Sequence, residues 1–529
     1  MFRCAHRIAK LFVIALLIVG CRTALCQGGE PSAPLARQTV RVRLTTGQRA
    51  IDVASPERIT ASVAGGKRTL PPGSWTFRAA EATPARQEFR VFVKTFQPAE
   101  RAAAMGFLDQ LQREGYSAEI VTLGRRFHTK SGRIMDTRVL WISAGAFPRL
   151  EEAEALRATF EGRDVWGWVR ARTVAEGRGI VAVRGNGEEQ TAEWEVPLAL
   201  EADGPIQLCW DDGGAGRKQP QARAYVGRLE IGIAPDGTLE VFETLDVETY
   251  LRGVLPSEMP ADWPVEALKA QAVAARTDVF AKLGIAHELE GFDLCGAEHC
   301  LAYGGQTAWR PRTDAALEVT SGEILTDGER FIPAVFCANC GGWTENNENV
   351  WSGPANPNLR GVPDMLLSTE DGSDTPAAVG MAAWLLDPPK AYCSGDPRYY
   401  RWRKQFSAEE LTAVVNERYP VGPVRSIEFG ERGVSGRLKW VTVHGANGAA
   451  VIRKELPIRL AFGGLPSAMF LVDVEGGPDR PAQFTFVGGG RGHGVGLCQH
   501  GARGMALEGA RHGEILIHYF TGARIEKVH

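Results

Sequence analysis

Two things are scarce in this chain of 529 residues: surplus charge and long apolar runs. Sixty Lys and Arg stand against 63 Asp and Glu, leaving a formal charge of -3 with His neutral. A nucleic-acid binder needs a basic face, so the balance argues against nucleic acid as the main partner. The apolar run at residues 11–20 is about half the length of a bilayer-crossing helix. It follows Arg3, His6, Arg7 and Lys10, and basic-then-apolar is the order of an export signal, read here over residues 1–26. Ile18-Val19-Gly20-Cys21 also resembles a bacterial lipoprotein cleavage box, in which Cys21 would carry a lipid anchor to the membrane. Small residues at 24–26 offer a competing cut. Both readings place the mature protein outside the cytoplasm, in the periplasm or cell envelope.

What is plentiful is glycine, 61 residues, as in loop-rich β proteins with many tight turns. A hydrophobic share of 44% describes a globular chain with enough length for several cores. Short alternating segments at 39–44, 50–53, 59–63 and 75–78, separated by Gly and Pro, predict a small β segment over 38–85. The pattern then changes. A strand at 88–96, a helix at 98–114 with Met105, Leu108 and Leu111 on one face, strands at 118–123 and 138–143, a helix at 148–161 and a closing strand at 165–170 give the order βαββαβ over 86–172. This resembles a SPOR module, which recognises glycan strands stripped of peptides; a plain ferredoxin-like spacer fits equally. Strands resume from 178, and a domain running to 529 is predicted, with its motifs at 240–360 and 485–525. Residues 371–397, rich in Asp, Pro, Gly and Ser, read as an exposed excursion.

The most informative run is Tyr250-Leu251-Arg252-Gly253-Val254-Leu255-Pro256-Ser257-Glu258-Met259-Pro260, leading into a helical pattern at 264–282. It sets Glu258 on a stiff turn between two helices, since Pro260 drives Met259 out of the α region. A carboxyl held beside Met259 and Trp263 is partly desolvated, which raises its pKa as a general acid requires. The competing reading is a helix-entry carboxylate, whose pKa the next helix would lower. Three later blocks follow: Cys295, His299-Cys300 and Tyr303-Gly304-Gly305; Gly341-Gly342-Trp343-Thr344-Glu345-Asn346 with Val350-Trp351; and the glycine-rich run at 490–502, continuing to His518-Tyr519-Phe520. No strand–turn–helix unit with a downstream ribose acid surrounds the last run, so a nucleotide fold is not indicated. Its glycines instead let backbone approach a bulky ligand, with His493, Gln499 and His500 as polar groups.

Together these blocks resemble the SpoIID/LytB family, sporulation stage II protein D relatives that act on peptidoglycan, over roughly residues 220–529. The resemblance implies an α+β fold, a β-rich core with helices around a glycan cleft. It implies a lytic transglycosylase that cleaves the N-acetylmuramic acid–N-acetylglucosamine bond of peptide-stripped strands to 1,6-anhydro products. Glu258 maps onto the family's acid, which then serves as base. Arg276, Tyr303, Glu345, His493 and Gln499 fall in the matching blocks as sugar-contacting candidates, with Glu248 and Asp262 in reserve. The alternative from another class is a non-catalytic glycan binder that enhances a cell-wall amidase. No cofactor is needed for the chemistry. His287, Cys295, His299 and Cys300 could form a Cys2His2 zinc site, which the resemblance supports; a disulfide is equally open for an exported protein. Cys337 and Cys340 read as a loop disulfide or redox-type pair. Two positions depart from the family pattern: Leu301, where a polar Gln is common, and Cys498, where a small or hydroxyl residue is usual.

Overall fold

The structure, a computed structural model, describes residues 38–63, 65–129, 132–163, 165–185, 192–210, 222–365, 375–477 and 480–528. The export signal and Cys21 lie outside them. Among the described residues, no helix is long and apolar enough to cross a membrane. The architecture is mixed α+β, strand-rich, with several sheets.

A seven-stranded sheet runs in the spatial order Leu294–Cys295, Thr39–Gln48, Leu239–Asp246, Arg228–Ile233, Leu198–Glu201, Ile59–Val63, Gly66–Leu70. Period-two burial drives it: Val40 and Val42 are fully buried while Arg41 and Arg43 face outward. A six-stranded sheet is ordered Ala192–Val196, Arg178–Gly185, Gly73–Thr83, Ala50–Ser55, Ile206–Cys209, Arg223–Tyr225. Both feed one core, so the small β segment expected at 38–85 does not stand alone. Its strands interleave with strands beyond residue 178, and strand pairing across 200 residues of sequence leaves no local signature.

The βαββαβ unit is present. Its four strands lie in the order Trp168–Ala175, Arg86–Phe96, Val139–Phe147, Glu119–Leu123, all antiparallel, with helices α1 (Arg101–Arg113) and α2 (Leu150–Glu161) over one face. The buried side of α1 is set by Ala104 and Leu111; Met105, expected inward, is 42% exposed. The unit is tied to the main core. A hairpin, Arg126–His128 with Ile134–Asp136, plants Phe127 in the main core, where its ring meets Phe280 and Phe331 at 5.7 Å each. On the sheet face away from the helices, Phe92 packs between Trp141 and Trp168 at 5.1 and 5.8 Å.

Helices α3 (Val247–Glu258), α4 (Val265–Lys282) and α5 (Pro311–Val319) follow the large sheets. Helix α4 is rich in alanine and buried on nearly every side from Ala267 to Phe280, which explains its lack of an amphipathic stripe. A second core, around Leu411, Val441, Phe462 and Phe486, joins α6 (Ala408–Asn416) to two three-stranded sheets. The expected excursion at 371–397 is corrected in its described part. Trp384 is 1% exposed and Cys393 fully buried, anchors that a turn-rich composition conceals. Helices α7 (Gln499–Leu507) and α8 (His512–Tyr519) return to the main core.

Candidate functional site

The site is built where α3 ends. Asp246 caps the start of the helix, accepting a hydrogen bond from the Thr249 N–H at 2.9 Å. Pro260 stops it, and Met259 is extended (φ -136°, ψ 129°) as its place before proline requires. Glu258 is therefore the last residue of a helix, not a turn residue as the sequence suggested. A carboxylate at a helix C-terminus faces the negative end of the dipole, the opposite of the helix-entry reading. Burial raises its pKa above the ordinary 4.5, opposed by the Ala302 N–H, which donates to Glu258 Oε1 at 2.7 Å.

The segment carrying Ala302 lies tight against α3. Gly253 makes this possible: a Cβ there would sit 2.5 Å from the Tyr303 ring and 2.9 Å from the Gly305 carbonyl. Gly253→Ala is expected to cost about 1–3 kcal/mol through overpacking, read as a lower denaturation midpoint. An unchanged midpoint would mean the 303–305 segment is free to move away. Beside this junction runs an open groove of about 1090 Å³ lined by Ser257, Ala302, His299, Arg223 and Thr307 among others.

Of the five sugar-contacting candidates, only Gln499 meets Glu258 directly. Its Nε2 donates to the Glu258 carbonyl at 3.1 Å. Arg276 is fully buried, with Nε and Nη2 on the Glu248 carboxylate at 2.7 and 2.9 Å and further bonds to the carbonyls of Glu323 and Leu317. Tyr303 is 4% exposed and donates to Glu243 Oε2 at 2.7 Å inside the core. Glu345 is fully buried and accepts from the main chain of Asn346, Val434 and Ser435 and from the Ser435 hydroxyl. These three hold the scaffold and offer a glycan no free polar group. His493 is half-buried; its Nδ1 accepts from the Val495 N–H at 3.0 Å and its Nε2 donates to the Phe336 carbonyl at 2.8 Å. Both ring nitrogens are spent on the main chain, and burial holds its pKa down at about 3.

The sequence gives little sign of an aromatic and basic cluster beside Gln499. His500 lies between Trp263 and Tyr399, with ring centroids at 4.9 and 4.6 Å. Arg503 stands over Trp263 and Arg491 over Tyr399. Only Trp263 and His500 carry a signal, because Tyr399 sits just past a stretch whose composition reads as an excursion.

The Cys2His2 quartet does assemble. His287, Cys295, His299 and Cys300 place one ligand atom each within 4.8 Å of one another. His299 Nδ1 lies 3.7 Å from Cys295 Sγ and 3.6 Å from Cys300 Sγ. Zn–S bonds of about 2.3 Å and Zn–N bonds of about 2.0 Å put sulfur and nitrogen roughly 3.5 Å apart in a tetrahedron, so the spacing fits zinc. His287 Nδ1 is held by Glu290 Oε1 at 2.6 Å, while its buried Nε2 has no hydrogen-bond partner among the described residues. A carboxylate behind one nitrogen and a free lone pair on the other is how proteins orient a metal-binding histidine.

The SpoIID family model, described as Stage II sporulation protein, matches residues 235–326, and a domain of unknown function (DUF8618) matches residues 345–496. An uncharacterised protein of Brachyspira hyodysenteriae is 31% identical over 303 residues, 57% of this chain and 72% of that protein. A Bacillus subtilis protein named Stage II sporulation protein D is 29% identical over 304 residues, 54% of this chain and 76% of that protein. The Bacillus subtilis protein named Amidase enhancer is 27% identical over 301 residues, 52% of this chain but 40% of that longer protein. The chain belongs to the SpoIID family. The match at 235–326 holds Glu258 and the whole Cys2His2 quartet.

Proposed function

We propose that the protein is a peptidoglycan lytic transglycosylase in which Glu258 acts first as acid and then as base. The observation that carries the reading is Glu258 itself: a carboxyl at a helix C-terminus, with its pKa raised by burial, tied to the groove-lining Ala302. Protonated Glu258 gives its proton to the glycosidic oxygen as the bond from that oxygen to the anomeric carbon of N-acetylmuramic acid breaks. The sugar's own C6 oxygen then bonds to the anomeric carbon, and its proton returns to the Glu258 carboxylate. No water is consumed, so one carboxyl suffices where a hydrolytic glycosidase needs two. His287, Cys295, His299 and Cys300 would hold zinc in a closed four-ligand set, which leaves no position for substrate and makes the ion structural. Such an ion would fix the segment that delivers the Ala302 N–H.

The pH dependence follows in sign. The first step needs Glu258 protonated, and burial lifts its pKa above the ordinary 4.5. Turnover per unit of substrate therefore falls as pH rises through that raised value, and Glu258 sets this alkaline limb. A limb placed at or below the ordinary value would contradict the role. For the zinc quartet, Glu290→Gln removes the carboxylate behind His287 and is expected to weaken zinc affinity about 10–100-fold, measured by competition with a chromophoric chelator. Unchanged affinity would place the metal elsewhere.

The substrate we assign is peptide-free glycan, supported by the half-buried Trp141 and Trp168 on the open face of the βαββαβ unit, which the buried Phe92 props from beneath. The test is incubation with peptide-bearing and amidase-stripped strands in parallel, with fragments read by mass spectrometry. Anhydro-ended fragments from stripped strands alone support the assignment. A second reading, enhancement of a cell-wall amidase by glycan binding, draws on the relative named Amidase enhancer. Binding without fragments, together with faster release of peptides by an added amidase, would favour it.

A further inference from the structure

A second quartet of metal-ligating side chains lies in the interior, away from the Cys2His2 set. Cys340, Asp364, Cys393 and Cys498 are each fully buried, and their ligand atoms lie within 4.8 Å of one another. Four segments far apart in sequence bring them together: the Gly-Gly-Trp-Thr block, the strand-like stretch after it, the turn-rich segment that ends near residue 397, and the glycine-rich C-terminal run. We propose that this quartet is a structural site for a thiophilic divalent cation, zinc, held by three thiolates and one carboxylate.

The geometry favours a metal over the two alternatives. Zn–S bonds of about 2.3 Å set neighbouring sulfurs of a tetrahedron roughly 3.8 Å apart. Cys340 Sγ and Cys393 Sγ are 3.8 Å apart. A disulfide needs about 2.05 Å and joins two sulfurs only, leaving the third thiol and the carboxylate unexplained. A set of plain buried thiols behaves as small apolar groups and does not account for Asp364. That carboxyl is fully buried, and among the described residues it has no ion-pair partner. Burying a lone carboxylate costs several kcal/mol unless a cation answers it or a proton neutralises it, and of these a cation also accounts for the three thiols gathered around it. Cys337 stands outside the quartet, so the expected pairing of Cys337 with Cys340 gives way to Cys340 facing Cys393 and Cys498.

The surroundings are those of a ligand shell. The Asp364 carboxyl is oriented from both sides, with the Tyr519 hydroxyl donating to Oδ1 and the Cys393 N–H donating to Oδ2 at 2.9 Å. Cys498 caps α7, and its sulfur accepts N–H groups from Cys340 at 3.2 Å and Gly501 at 3.3 Å. Such donors, at a helix N-terminus, favour the thiolate over the thiol. Two guanidiniums offset the net negative charge of the loaded site. Arg437 donates to the Cys340 carbonyl at 3.0 Å and Arg401 to the Gly341 carbonyl at 3.2 Å. Loading a divalent ion releases the protons of the thiols to solvent, with no change of oxidation state. The ion would join the start of α7 to three remote segments, and so fix Gln499, the next residue, against the Glu258 carbonyl.

The test counts metal by site. The purified protein, stripped of loosely held metal, is analysed by elemental mass spectrometry against protein concentration. One zinc ion per quartet is expected, and Cys295→Ser/Cys300→Ser should lose one share and keep the other. Adding Cys393→Ser should remove the remainder, while Cys337→Ser should change nothing. Should the Cys393 variant fail to fold, cobalt is loaded into the Cys295→Ser/Cys300→Ser protein. Thiolate-to-cobalt charge-transfer absorption there that persists when Cys337 and Cys209 are also changed to Ser arises from the second quartet. A metal-free Cys295→Ser/Cys300→Ser protein that is folded and takes up neither ion overturns the proposal, as does a Cys340–Cys393 disulfide in non-reducing peptide maps.

Discussion

Glu258→Gln should abolish the formation of anhydro-ended glycan fragments while leaving the fold and glycan binding intact. General acid–base catalysis contributes about 10²–10⁴-fold, and here one residue carries both the acid and the base step, so the loss should lie toward the upper end. Gln keeps the shape of the side chain, but its amide has no acidic proton to give to the glycosidic oxygen and no carboxylate to receive one. The backbone contacts around the residue are independent of its charge. Gln499 donates to the Glu258 carbonyl, which the substitution leaves in place, so the junction with α7 survives. The Ala302 N–H can still donate to the amide oxygen. Fragment yield and the thermal midpoint are the two readouts. Loss of the first without the second marks a chemical role; loss of both would mark a structural one.

Glu248→Ala should be among the most destabilising single changes in the protein, although Glu248 is a surface-reaching residue. Its side chain is 37% exposed, yet it is the ion-pair partner of Arg276, whose side chain is fully buried. Removing the carboxylate strands a guanidinium in the interior with only the carbonyls of Glu323 and Leu317 left to it. Leaving a buried charge without its partner costs about 3–5 kcal/mol. A chemical denaturation curve of Glu248→Ala against the parent protein measures it. Measuring glycan affinity of the same variant beside its stability separates two roles for Arg276. A sugar-binding arginine would show as weakened glycan affinity with stability nearly unchanged. A scaffold arginine shows as lost stability, the expected result.

The sequence exposed the local features of the site and hid the distant ones. The extended Met259 and the helix at 265–282 follow from proline sterics and helix propensity, which act within a few residues. The Cys2His2 quartet was legible because its ligands lie within fourteen residues of one another. The sugar-contacting role given to Arg276 and Glu345 came from their places in motifs. Motif membership does not distinguish a residue that meets substrate from one that holds up its neighbours; burial does. Both are fully buried scaffold residues. The Cys340, Asp364, Cys393 and Cys498 quartet was out of reach, since no spacing rule joins positions up to 158 residues apart. One clue was present. Cys498 departs from the family pattern at a position next to Gln499, and its partners Cys340 and Cys393 are, with Cys337, buried thiols of the same interior. The strands at 38–85 do not form the separate unit their spacing suggests for the same reason: Val40 finds its partner at Leu245.

The central claim is that Glu258 breaks the glycosidic bond without water. Digestion of stripped glycan strands in water enriched with heavy oxygen tests it most directly, with the new ends analysed by mass spectrometry. Muramyl ends lighter by one water and free of heavy oxygen are expected, absent from Glu258→Gln digests. Reducing muramyl ends carrying one heavy oxygen would identify a hydrolase and contradict the claim.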